Sequence, residues 1–251
     1  MTKILEGQIA LVTGASRGIG RAIAKRLAAD GAFVGVHYGR SEKEARSAVE
    51  EIRADGGRAF LLQADLAQGE VAAAQLFRQF DKETAGAKLN ILVNNAGVAN
   101  FAAFDATDEA TFDALFDVNV KGLFFVTQRA LPRLADGGRI VNLSSVVART
   151  HFPGIPAYSA TKGAVNTLTT HLAVELGPRN ITVNAIAPGA TETEMSAWLQ
   201  TEQGQQTALS IQALQRVGQP EDIARAVAFL AGPDGAWVTG QVIETTGGTK
   251  L

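Results

Sequence analysis

Tyr158 and Lys162 stand four residues apart in Tyr-Ser-Ala-Thr-Lys. On a helix that spacing stacks both side chains on one face. A free phenol, with a pKa of about 10, is a sluggish acid-base catalyst at neutral pH. A neighbouring ammonium favours the phenolate and lowers that pKa, which gives the pair a physical basis for proton transfer. A solvated helix face can carry the same spacing, so the chemistry depends on what surrounds the pair. A second constellation lies near the N-terminus. The apolar run 9–12 leads into Thr13-Gly14-Ala15-Ser16-Arg17-Gly18-Ile19-Gly20, and apolar positions Ile23, Ala24 and Leu27 follow at helical spacing before Gly31. Strand, glycine turn and helix is the setting in which backbone N–H groups face a pyrophosphate at a helix N-terminus. The spacing is G-x-x-x-G-x-G, not the G-x-G-x-x-G dinucleotide fingerprint.

The elements that must position these residues alternate along the chain. Strand-like runs fall at 33–37, 59–63, 90–94, 139–143, 181–186 and 241–244. Between them lie helical patterns. Ser41 with Glu44 reads as a capping box opening a helix that ends near Asp55-Gly56-Gly57. Further helices are predicted around 71–83, over 107–133 as one long pattern, and over 158–176, stopped by Gly177-Pro178. The alternation predicts an α/β fold, a doubly wound parallel sheet of about seven strands with helices on both faces. No linker, repeat or low-complexity segment interrupts it, so residues 1–251 read as one domain. The polar stretch 190–215 is either a substrate lid or a surface excursion.

Composition bounds the function. The chain has 251 residues, 46% hydrophobic, with a net charge of −2, three His and no Cys. The length is ample for a sizeable core. Near-neutral charge argues against a nucleic-acid footprint. Lack of Cys removes disulfides, thiolate metal sites and a Cys nucleophile, and the His show no metal-ligand spacing. No stretch reaches the ~18 apolar residues of a membrane span, and residues 1–10 show no apolar signal region. A cytoplasmic protein acting on small molecules is expected.

With these landmarks in order, the chain resembles the short-chain dehydrogenase/reductases. The resemblance spans residues 7–248. It rests on Thr13-Gly14-xxx-Gly18-x-Gly20, Asp65-Leu66, Asn94-Asn95-Ala96-Gly97, Asn119, Ser145, Tyr158-xxx-Lys162 and Pro188-Gly189-xxx-Thr193. It implies a strand order 3-2-1-4-5-6-7, with the cofactor across the C-terminal strand edge. It implies that Tyr158 exchanges a proton with the substrate oxygen and that Lys162 lowers the Tyr158 pKa and bonds the nicotinamide ribose. Ser145 would polarise the substrate carbonyl, with Ser144 as the competing choice. Asn119 would anchor a water linking Lys162 to solvent, or is simply a satisfied mid-helix Asn. Cofactor contacts would come from Gly14, Ser16, Arg17, Gly18, Ile19 and Gly20 in the turn, and from Tyr38, Arg40 and Ser41 after the second strand. Asp65 and Leu66, Asn94, Ala96 and Gly97, and Pro188, Gly189, Thr191 and Thr193 complete the set with Tyr158 and Lys162. Asp65 suits a helix cap equally, and Pro188-Gly189 suits a plain turn.

An acid at the end of the second strand would bond a ribose 2′-OH and repel a 2′-phosphate. Tyr38 holds that position, and Arg17 and Arg40 are placed to clamp a 2′-phosphate. NADP(H) is therefore expected over NAD(H). His151 and Phe152 are the candidate substrate contacts beside Ser145 and Tyr158. The expected activity is reduction of a ketone or aldehyde. The alternatives are a 3-oxoacyl-carrier-protein reductase, with Arg179 docking an acidic carrier, and a non-catalytic NADP(H) sensor. The resemblance also implies a homotetramer built on the helices around 107–133 and 158–176.

Overall fold

The computed structural model describes residues 3–250. Seven strands form one parallel sheet in the order β3-β2-β1-β4-β5-β6-β7. They are β1 (Ile9–Val12), β2 (Phe33–Tyr38), β3 (Arg58–Gln63), β4 (Leu89–Asn94), β5 (Leu134–Leu143), β6 (Thr182–Pro188) and β7 (Val242–Thr245). The helices are α1 (Gly18–Ala29), α2 (Glu42–Ala54), α3 (Glu70–Glu83), α4 (Glu109–Phe116), α5 (Leu123–Ala130), α6 (Pro156–Leu176), α7 (Glu202–Ser210) and α8 (Pro220–Ala231).

Strand periodicity builds the two cores. Successive side chains point to opposite faces, so Ala10 and Val12 pack against α1, α2 and α8 while Leu11 packs against α3 and α5. Burial on both faces explains why the strands read as apolar runs rather than alternating ones. The chain leaves β1 toward β2 and β3, then returns to place β4 on the other side of β1. That reversal opens a crevice beyond the carboxyl ends of β1 and β4, the place where open α/β sheets bind ligands.

Several boundaries differ from the sequence expectations. The pattern over 107–133 is two α-helices joined by a π-helical stretch, Asp117–Gly122. Such widened turns often mark functional positions, and this one carries Asn119. Strand β5 begins at Leu134, not 139. Leu134 pairs with Leu89, and pairing resumes at Ile91 with Arg139 after a register shift. Ala135-Asp136-Gly137-Gly138, with Gly137 at φ +76°, takes up the extra length. Ser41 precedes α2 but its side chain accepts no capping bond, so the expected capping box does not form. Helix α6 starts two residues before Tyr158, with Pro156 in its first turn, where a missing N–H costs nothing. Among the described residues, no helix is long and apolar enough to cross a membrane.

Candidate active site

The turn 13–20 and the segment 95–97 meet at the crevice. Thr13 Oγ1 accepts from the N–H groups of Asn95 and Ala96, both at 3.0 Å. Asn95 Nδ2 donates to the carbonyls of Thr13 and Gly14, both at 2.9 Å. Gly20 packs against this knot. A Cβ there would lie 2.3 Å from the Gly14 carbonyl and 2.4 Å from Asn95 Nδ2. Helix α1 opens with no side chain capping it. Its first N–H groups therefore lack an intrahelical partner and suit an anion.

The other nucleotide candidates are arranged around this turn. Ser16 is buried, and Ile19 packs on the core. Arg17 Nη1 is 2.5 Å from Glu194 in the 190–215 segment, and Gly18 faces the Thr193 methyl. Tyr38 is buried, whereas Arg40 is almost fully exposed and reaches Asp65 at 3.4 Å. Asp65 also accepts from Ala67 N–H at 3.3 Å, capping the short turn of buried Leu66. Asn94 is turned inward. Its Nδ2 donates to Thr127 Oγ1 and Asn142 Oδ1, both at 2.9 Å, and Asn142 in turn donates to Thr169. Asn95, not Asn94, therefore holds the turn. Pro188 closes β6. A Cβ at Gly189 would lie 3.0 Å from Thr246, and Thr191 Oγ1 donates back to the Gly189 carbonyl.

The chemical group sits at the end of β5. Lys162 is buried, and its Nζ donates to the Leu143 carbonyl at 2.7 Å. The same Nζ lies 5.6 Å from the Tyr158 ring centroid. Asn119 is buried. It accepts from Val98 N–H at 2.8 Å and donates to Val98 O at 2.9 Å and to Thr161 Oγ1 at 3.1 Å. Thr161 bonds the Tyr158 carbonyl, so Asn119 is tied through the helix backbone to the Tyr-Lys pair. Ser144 is buried and directed to the Lys162 carbonyl, while Ser145 is half-buried beside Tyr158. An open hollow of about 520 Å³ is lined by Phe104, Val147, His151, Phe152 and Ser159 among others, along the chain between Ser145 and Tyr158, neither of which lines it.

Known proteins resemble the chain over nearly its whole length. A family model described as Enoyl-(Acyl carrier protein) reductase matches residues 14–250. An uncharacterised oxidoreductase of Methylorubrum extorquens is 46% identical, covering 98% of this chain and 99% of its own. Elsinochrome reductase 1 of Elsinoe fawcettii is 39% identical over 98% of this chain and 96% of its own. The solved structure of angucycline C-6 ketoreductase LanV with bound NADP superposes with a TM-score of 0.94 at 43% identity, covering 100% of this chain and 98% of that one. The chain belongs to the short-chain dehydrogenase/reductase family.

The electrostatics of this family member's site run against one expectation. Burial pushes the Tyr158 phenol up to about 12, against a smaller downward pull from the Ser145 hydroxyl. Burial also lowers Lys162 to about 8. In the cofactor-free protein, desolvation therefore outweighs the expected depression of Tyr158 by Lys162. Two residues escaped the sequence reading. Asn95 carries no individual role in the motif 94–97, yet its side chain holds the glycine turn. His37 is a buried imidazole bonded to Gly14 N–H at 3.0 Å. A polar side chain inside an otherwise apolar strand, 33–38, was the available signal. Arg179 donates to Asp136, Leu131 O and Leu134 O at 2.6–2.9 Å, so its guanidinium is used in holding the β5 bulge.

Proposed function

We propose that this protein is a cytoplasmic NADPH-dependent reductase of ketones and aldehydes. The observation that carries the reading is the junction of Tyr158, Lys162, Ser145 and Asn119 at the end of β5, beside the crevice that the glycine turn enters. The uncapped start of α1 and the close backbone approach at Gly14 fit a dinucleotide, with Arg17 and Arg40 available to a 2′-phosphate. When bound, the nicotinamide supplies the hydride. Ser145 Oγ–H holds the substrate carbonyl oxygen, a task for a neutral donor in a desolvated site. Tyr158 is a neutral phenol at physiological pH, and its Oη gives the proton to that oxygen. Lys162 places positive charge beside the phenolate left behind. Asn119 fixes the helix turn that carries Tyr158 and the backbone at Val98.

Segment 190–215 acts as the lid, latched to the glycine turn by Arg17 and Glu194. Exposed Phe112, Phe124 and Val174 on α4, α5 and α6 support a homotetramer, which light scattering tests. The engagement of Arg179 within the fold argues against an acidic carrier protein as the partner. The Phe-lined hollow, and relatives named for angucycline and elsinochrome reduction, favour bulky aromatic ketones. The test is NADPH oxidation at 340 nm against simple ketones, aldehydes, polycyclic ketones and 3-oxoacyl thioesters, repeated with NADH. Turnover of ketones with NADPH supports the reading. Turnover of acyl thioesters alone, or a strong preference for NADH, refutes it.

A further inference from the structure

His37 sits near the end of β2 and is 2% exposed. Its ring makes two bonds in opposite directions. Nδ1 accepts from Gly14 N–H at 3.0 Å, and Nε2 donates to the Ala64 carbonyl at 3.0 Å. A backbone N–H can only donate and a carbonyl can only accept, so the two partners select one neutral tautomer. Burial lowers the imidazole to about 4, which keeps it in that form across the neutral range. The His37 carbonyl also accepts from Ala15 N–H at 2.8 Å.

These bonds leave Gly14 little freedom. Its N–H is held by His37 and its carbonyl by Asn95, and it takes φ +62°, a conformation that favours glycine. The orientation of that one residue sets where the N–H groups of 16–20 point. The other end of the ring holds Ala64, next to Asp65, which reaches Arg40. One buried side chain thus joins the pyrophosphate side of the crevice to its adenine side.

We infer that His37 is a positioning residue for the nucleotide, acting through Gly14 to aim the glycine turn. The inference rests on the reading of residues 13–20 as the NADPH seat. Two variants separate it from a general packing role. In His37→Asn the amide oxygen lies close to the place of Nδ1 and keeps an acceptor for Gly14, but it is too short to reach Ala64. In His37→Gln the longer amide reaches Ala64 and leaves the Gly14 N–H unpaired. A residue that merely fills the strand would make the two variants equivalent.

The experiment measures NADPH binding by fluorescence titration, the melting temperature, and kcat and KM for NADPH. The expectation is that both variants lose similar thermal stability. His37→Asn keeps its NADPH Kd within about threefold of the parent. His37→Gln weakens it about tenfold, equivalent to about 1.4 kcal/mol, with KM rising and kcat at saturating NADPH largely kept. Equal NADPH affinity in two folded variants overturns the inference. A parent that binds neither NADPH nor NADH overturns the nucleotide reading and this inference with it. If His37→Gln yields no folded protein, the imidazole ¹⁵N resonances of the parent decide, since the chain has only three His. The Nδ1 signal of His37 should move on NADPH saturation, and a signal that stays in place overturns the inference.

Discussion

Replacing Lys162 by Met separates the value of the ammonium from its burden on the fold. Lys162 is 4% exposed, and burial lowers its pKa from 10.5 to about 8. At about 1.4 kcal/mol for each tenfold change, the charged form carries a penalty of about 3 kcal/mol in the folded state. Between pH 8 and 10.5 the unfolded chain binds more protons at this position than the folded one. Stability from this group therefore rises with pH through that window, and the penalty is fully present below pH 8. Met keeps the length of the side chain without the charge. It loses the bond to the Leu143 carbonyl, at a cost of about 1–2 kcal/mol. The cofactor-free K162M protein should then be more stable than its parent by about 1–2 kcal/mol at pH 7, raising Tm by roughly 2–6 °C. By about pH 10 the advantage should vanish, because the parent's lysine is by then mostly neutral in the fold. Calorimetry of both proteins from pH 7 to 10 measures the difference, in which other titrating groups cancel. NADPH oxidation by K162M should meanwhile fall by about 100-fold or more. A K162M protein less stable than its parent by the same amount at pH 7 and pH 10 would refute the reasoning.

Tyr158→Phe removes the proton donor but leaves the turn untouched. The turnover number should drop by about 10²–10⁴ while NADPH binding, read by fluorescence, stays near the parent's; an unchanged rate would mean that another group is the acid. Arg17 is paired with Glu194, so binding a 2′-phosphate would compete with that pair. Arg17→Ala should raise the NADPH Kd about tenfold with little change for NADH, and Glu194→Gln should tighten NADPH by about twofold to threefold at low salt, an effect that disappears at high salt because the pair is exposed. Titrations with both nucleotides at two ionic strengths check both effects, and a loss shared equally by NADPH and NADH would reassign Arg17.

The sheet was legible because strands buried on both faces are predominantly apolar, as 9–12 and 59–62 are throughout and 181–186 is apart from Thr182 and Asn184. The crevice followed from the reversal of strand order at β1. Legibility failed where tertiary bonds overrode local pattern. Apolar spacing over 107–133 has no means of signalling a π-turn, which here brings Asn119 to Val98 and Thr161. The bulge at 135–138 hides the start of β5, because Leu134 pairs with Leu89 across residues that read as a turn. Asn94 and Asn95 are chemically identical and adjacent. Only strand alternation decides that one faces Asn142 and the other faces the glycine turn. His37 reads as a polar strand end, and nothing local reveals that Gly14, 23 residues earlier, ends beside its ring.

The pKa shifts of Tyr158 and Lys162 show why the pair cannot be read from spacing alone. From spacing alone the ammonium lowers the resting phenol, yet burial drives Tyr158 up and Lys162 down. At physiological pH the site therefore rests as neutral phenol and ammonium. In that state the attraction between them is small, since a neutral ring offers only its face to the cation at 5.6 Å. Once the proton leaves Tyr158, a full negative charge faces the ammonium, and opposite charges within one desolvated site attract far more strongly than a cation and a neutral ring. The interaction is thus stronger as the proton transfers than before it. Only that difference accelerates a chemical step. A lysine that pulled the resting phenol down to neutral pH would have spent the same attraction on the ground state, and would have left a phenolate with no proton to give.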